Sequence, residues 1–148
     1  MTTLAVIVFL ALAAIAALHV AWGFGMHWPA LDERDLVALV VGQTGRTRMP
    51  TALGCFGAAV AVFIAGLLAL AAVDLVRPPG PPMLVTAASA LATAIFAGRG
   101  IAAYLPAWRR RFSQAPFATL DRGAYGPLCL LFALAFALLV LHRVGDWA

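Results

Sequence analysis

The chain has 148 residues, 64% of them hydrophobic and only 11% charged. Soluble domains carry about a quarter charged residues, so this composition excludes a water-soluble fold and places most side chains against lipid or other helices. The net charge is +4 and every basic residue is arginine; the arginines lie between long apolar runs, which suits membrane orientation and lipid head groups, and no nucleic-acid partner is expected.

A helix that crosses a bilayer needs about 20 mostly apolar residues, because each adds 1.5 Å across a core about 30 Å thick. Four stretches meet that length, which predicts an all-α, four-helix transmembrane bundle forming one integral membrane domain over residues 1–148. Span one runs from about Leu4 to Phe24. It reads as a retained helix and not a signal peptide, since Met1-Thr2-Thr3 has no basic side chain and the apolar run continues through Trp22. In loop one, Asp32 is placed to cap a short helix, with Asp35 three residues later. Leu36, Val37, Leu39, Val40 and Val41 follow, and Gly42 is suited to end it. This run is too short to span and predicts an interfacial helix lying on the membrane surface.

Span two runs from about Ala52 to Val73, with Pro50 near its start. Pro78, Pro79, Pro81 and Pro82 make a stiff link to span three. Span three covers about Met83 to Leu105, is interrupted only by Arg99 and stops at Pro106. Span four runs from Gly126 to about Leu141, and reaches Val144 if His142 and Arg143 snorkel. Small residues recur every four positions at Ala13, Ala17 and Ala21 and at Ala90, Ala94, Gly98 and Ala102. Such stripes let helices approach closely, within the bundle or in a homo- or hetero-oligomer; the abundance of alanine explains them equally well.

Loops one and three share a membrane side. They hold seven arginines (34, 46, 48, 109, 110, 111 and 122), against Arg77 and Arg143 on the other. The positive-inside rule therefore puts loops one and three in the cytoplasm and both termini outside a plasma membrane.

The same face collects the unusual residues. His19, Cys55, Arg99 and Cys129 all fall toward it within their spans, together with Trp22, His27, Trp28, Tyr104, Trp108, Asp121 and Tyr125. Only Asp74, His142, Arg143, Asp146 and Trp147 mark the opposite face. Arg99 lies roughly 9 Å inside span three at 1.5 Å per residue. A charge at that depth needs a partner or a route to the interface. Asp121, the one acid in loop three, is the natural partner. Arg99 then either binds an anionic group or forms a structural pair with Asp121. His19 either carries a proton or ligand near neutral pH, or simply hydrogen-bonds a neighbouring carbonyl. The tryptophans suit an interfacial belt, and two cysteines without a C-x-x-C read as small buried thiols.

Spacing also excludes. A transmembrane bis-histidine haem needs two histidines at one depth, and no span interior holds the carboxylate that proton-coupled export requires. There is no HExxH, phosphate-binding glycine loop or G-x-S-x-G. No metal site and no cofactor are expected.

The chain resembles the short bacterial membrane proteins grouped as domain of unknown function 3995 through most of its length. The anchors are His-Val-Ala-Trp-Gly-Phe-Gly at 19 to 25, Trp28-Pro29, Arg99-Gly100, Pro116-Phe117-Ala118-Thr119-Leu120-Asp121 and Tyr125-Gly126-Pro127-Leu128-Cys129. Members often carry Ser where this chain has Gly126, and paired glycines where it has Gly23-Phe24-Gly25. The resemblance implies a four-helix membrane protein and no particular reaction. It places His19, Trp22, Trp28, Arg99, Phe117, Asp121, Tyr125 and Cys129 in motif positions.

The leading expectation is a semi-polar pocket at one membrane face that binds a small amphiphile or lipid head group. Arg99 meets the anion, His19 and Asp121 supply polar contacts, and Trp22 and Tyr125 form walls; Trp28, Tyr104 and Cys129 complete the candidate set. One alternative is an enzyme acting on a lipid-like substrate, with His19 as acid–base group oriented by Asp121. The other is a structural or assembly partner of a membrane complex.

Overall fold

The computed structural model describes residues 1–145; Asp146 and Trp147 lie outside the described residues. The chain is all-helical. Its elements are α1 (Thr2–Gly23), α2 (Glu33–Val40), α3 (Ala52–Ala71), α4 (Pro82–Ala102), α5 (Pro106–Arg111), α6 (Phe117–Leu120), a π-helical turn (Asp121–Tyr125) and α7 (Gly126–Gly145). Four helical runs are long and apolar enough to cross a membrane: α1, α3, α4 and the continuous run Phe117–Gly145. Helices are the form such sequences must take, because lipid offers no hydrogen bonds to the backbone and a helix satisfies its own. The protein is a multi-pass membrane protein.

The fourth run starts at Phe117, well before the expected Gly126. Its π turn ends at Tyr125, two residues before Pro127, whose missing N–H breaks the α-helical ladder. The distortion lets the chain continue as one rod.

The helices pack as two pairs, α1 with α3 and α4 with α7. The pairs meet in a core near the loop-two end, around Val8, Leu12, Ala69, Val85, Phe136 and Leu139. There Phe96 lies 5.3 Å from Phe132 and 5.8 Å from Phe136, centroid to centroid. Toward the other end α4 and α7 approach through glycines. A Cβ on Gly100 would stand 2.7 Å from the Leu130 side chain and 3.0 Å from the Gly126 carbonyl oxygen.

At the loop-one, loop-three end a second layer joins the pairs. Asp32 caps α2 by accepting the Asp35 N–H at 2.8 Å, as expected. Part of the helix's apolar face meets protein: Leu36 and Val37 are fully buried, while Leu39, Val40 and Val41 are partly buried. α2 packs against α6 of loop three, and Phe117 of α6 is buried beside Gly42. Gly42 is required there twice over, by its positive φ of 64° and because a Cβ would stand 2.1 Å from the Phe117 ring. Backbone bonds from Gln114 N–H to Gly42 O (3.2 Å) and from Thr44 N–H to Arg111 O (3.3 Å) tie the two loops together.

Arg143 also departs from expectation. It is 8% exposed and does not snorkel outward. Its Nη1 donates to the carbonyls of Ala71 (3.1 Å) and Ala72 (3.2 Å) and to the Asp74 carboxylate (3.3 Å). These carbonyls lie at the C-terminal end of α3, where Ala71 O also accepts the Asp74 N–H at 3.2 Å, so a cation from α7 is bound where the helix dipole is negative.

Candidate functional site

The site at the loop-three end is organised by Asp121, the first residue of the π turn and only 3% exposed. A carboxylate buried to that degree is tolerated only if both oxygens are matched. Here they are. Arg99 Nη2 from α4 donates to Oδ1 at 2.5 Å, and Trp108 Nε1–H from α5 donates to Oδ2 at 2.9 Å. The Arg99 guanidinium carbon also lies 4.9 Å from the centre of the Trp108 ring, within cation–π range. Three elements are therefore clasped around one carboxylate, and loop three is held to the bundle.

Beside this clasp opens a cavity of 630 Å³, bordered by Tyr104, Trp108, Arg109, Phe112, Asp121 and Arg122 among others. The Trp108 and Phe112 rings pack 4.2 Å apart between centroids, tilted by 32°, and form an aromatic wall. The Tyr104 hydroxyl donates to the Arg122 carbonyl at 3.1 Å, fixing the rim. Arg109 and Arg122 are exposed and make no ion pair among the described residues.

His19 is elsewhere. Its Nδ1–H donates to the Ile15 carbonyl one turn back at 2.8 Å, and its ring lies 5.0 Å from Trp22. The Trp22 indole in turn donates to the Trp28 carbonyl at 2.8 Å. His19 and Trp22 border a separate cleft of 160 Å³ with Met49 and Cys55. Tyr125 donates to the Leu39 carbonyl at 3.2 Å and so joins the π turn to α2. Cys129 is a half-buried free thiol that borders neither cavity.

The single pocket expected to hold His19 and Arg99 together is thus divided. His19 borders the α1–α3 cleft, while Arg99 stands behind Trp108 and borders neither cavity. His19 and Asp121 share no hydrogen bond: the histidine is engaged with Ile15, and both Asp121 oxygens with Arg99 and Trp108. The acid–base arrangement of the enzyme reading is not formed. Sequence reading passed over Arg109, Phe112 and Arg122 as cavity residues. Their signal was the clustering of aromatic and basic side chains in loop three. Among the described residues no three His, Cys, Asp or Glu side chains gather as a metal site.

Residues 3–136 match the family described as "Protein of unknown function (DUF3995)". The chain belongs to the DUF3995 family. That match contains the whole Arg99–Trp108–Asp121 clasp and the His19 cleft, and ends before Arg143. No curated protein and no solved structure matches the chain. Gly126 sits where a larger residue does not fit this backbone. A Cβ there would stand 2.8 Å from the Asp121 carbonyl oxygen and 2.9 Å from Ala103 Cβ.

Proposed function

We propose that this protein binds the anionic head group of a membrane amphiphile in the loop-three cavity. The supporting observation is the pairing, in one 630 Å³ cavity, of two arginines that make no ion pair among the described residues with an aromatic wall. That volume lies within the roughly 300–1,000 Å³ of small-ligand sites. Arg109 and Arg122 meet the head group, and Trp108 and Phe112 the apolar part. Arg99 acts one step back: it neutralises Asp121, so the acid bordering the cavity does not repel an anion. The protein resides in the plasma membrane with loops one and three in the cytoplasm, the side on which anionic lipids attract basic segments.

Native mass spectrometry in mild detergent, with phosphatidylglycerol and phosphatidylcholine as probes, tests the reading. Each surface arginine contributes about 1 kcal/mol toward anionic lipid. The Arg109→Ala, Arg122→Ala double variant should therefore lose about 2 kcal/mol, roughly 30-fold in phosphatidylglycerol affinity, and His19→Ala none. Equal retention of both lipids by the wild-type protein, or an unchanged double variant, would rule the reading out.

A further inference from the structure

The His19 cleft lies outside the proposed lipid site, and its contents are of a different kind. Its 160 Å³ is too small for an amphiphile, whose sites run from about 300 Å³. Around it stand an imidazole (His19), a thioether (Met49) and a thiol (Cys55). They come from α1, loop one and the first turn of α3, where hydrogen bonds fix the His19 ring and the backbone that carries the two sulfur side chains. The His19 Nδ1–H is bound to the Ile15 carbonyl. That orients the ring so that its other nitrogen, Nε2, is the one left to bind a ligand, as backbone carbonyls do for metal-ligating histidines. The Met49 N–H donates to the Glu33 carboxylate at 2.9 Å. Cys55 follows the Thr51 cap, whose hydroxyl accepts the Gly54 N–H at 3.2 Å. The thiol itself has only a 3.8 Å contact to the Pro50 carbonyl.

We infer that His19, Met49 and Cys55 form a binding site for one soft monovalent metal ion, Cu(I) in class. Thiolate and thioether ligands select Cu(I) over hard cations. The thioether argues against zinc, which takes Cys, His and carboxylate ligands. Charge balances as well. On binding, the Cys55 S–H proton leaves to solvent and a sulfur–metal bond replaces it, so thiolate and ion cancel and no net charge is added within the span. The N-terminal end of α3 favours a negative ligand at Cys55. No change of oxidation state is involved.

The test is titration of the reduced, detergent-solubilised full chain with Ag(I), and with Cu(I) against a chromogenic chelator under anaerobic conditions. One equivalent should bind and release one proton. His19→Ala, Met49→Leu and Cys55→Ser should each weaken binding by roughly tenfold or more, and Cys129→Ser should not. X-ray absorption on the Cu(I)-loaded wild-type protein reads the ligands even if a variant fails to fold, and should show two sulfur scatterers and one imidazole. No stoichiometric binding by the wild-type chain, tighter binding of Zn(II), or a ligand shell without both sulfurs overturns the inference. Loss of phosphatidylglycerol binding leaves these readouts untouched, so the two proposals fail separately.

Discussion

At the scale of single residues the decisive fact is that Asp121 is shared. One carboxylate matches a guanidinium and an indole at once, and neither partner has an alternative acid among the described residues. Removing one member of a buried ion pair costs about 3–5 kcal/mol, mostly through the charge left behind. Arg99 is 31% exposed, and solvent relieves part of that, so Asp121→Asn should destabilise the protein by about 2–3 kcal/mol. Arg99→Met with Asp121→Asn should cost less than the sum of the two single changes, because the stranded charge is gone. Thermal unfolding in detergent of the three variants checks both statements; additive losses would show that the pair is not coupled. The Arg99–Asp121 partnership was legible in the sequence, since a charge at membrane depth demands a match and loop three offers one acid. What was not legible was direction around the helix. Depth follows from 1.5 Å per residue, but spans that are apolar all round carry no periodic signal for which side faces the bundle. His19 and Arg99 were therefore read at the same end of the molecule and assigned to one cavity, although His19 borders the smaller cleft and Arg99 borders neither.

At the scale of elements, the four spans and the loop-one helix follow from apolar run length, Asp32 and the prolines. Two features do not. An amphipathic helix presents the same pattern whether its apolar face meets lipid or protein, so the burial of Leu36 and Val37 depends on what packs on α2, here α6 from loop three, and cannot be read locally. An arginine near the end of a span reads equally as a snorkelling side chain or as a cap. The structure assigns Arg143 the second role, and this makes it a latch between the two helix pairs: α7 holds the end of α3. Arg143→Met keeps most of the side-chain volume and removes the charged donor. It should lower stability by about 2 kcal/mol, within the range for hydrogen bonds to charged groups. Arg143→Lys should recover part of the loss, because a cation at the helix end remains. Chemical denaturation in mixed micelles measures both; a Met variant as stable as the wild type would mean that the latch contributes nothing.

At the scale of the whole molecule, the latch sharpens the orientation argument. The arginine count favoured the loop-one, loop-three side by seven to two. Arg143 is buried against α3, and Arg77 is then the only arginine of that side left to face water or head groups. Basic side chains at the loops set orientation, so the effective asymmetry is larger than the sequence count. The two basic loops are also bonded to each other through Gln114, Gly42, Thr44 and Arg111, so their charge is concentrated on one face. In a chain carrying Cys55→Ser and Cys129→Ser, Ala107→Cys stands in exposed α5 and Val76→Cys in the exposed link after α3. A membrane-impermeant maleimide added to intact cells should label position 76 and spare position 107. Permeabilisation should then expose position 107. The reverse pattern would place the loop-three cavity on the outer leaflet, away from the anionic lipids of the cytoplasmic face, and the head group it binds would have to be supplied from outside.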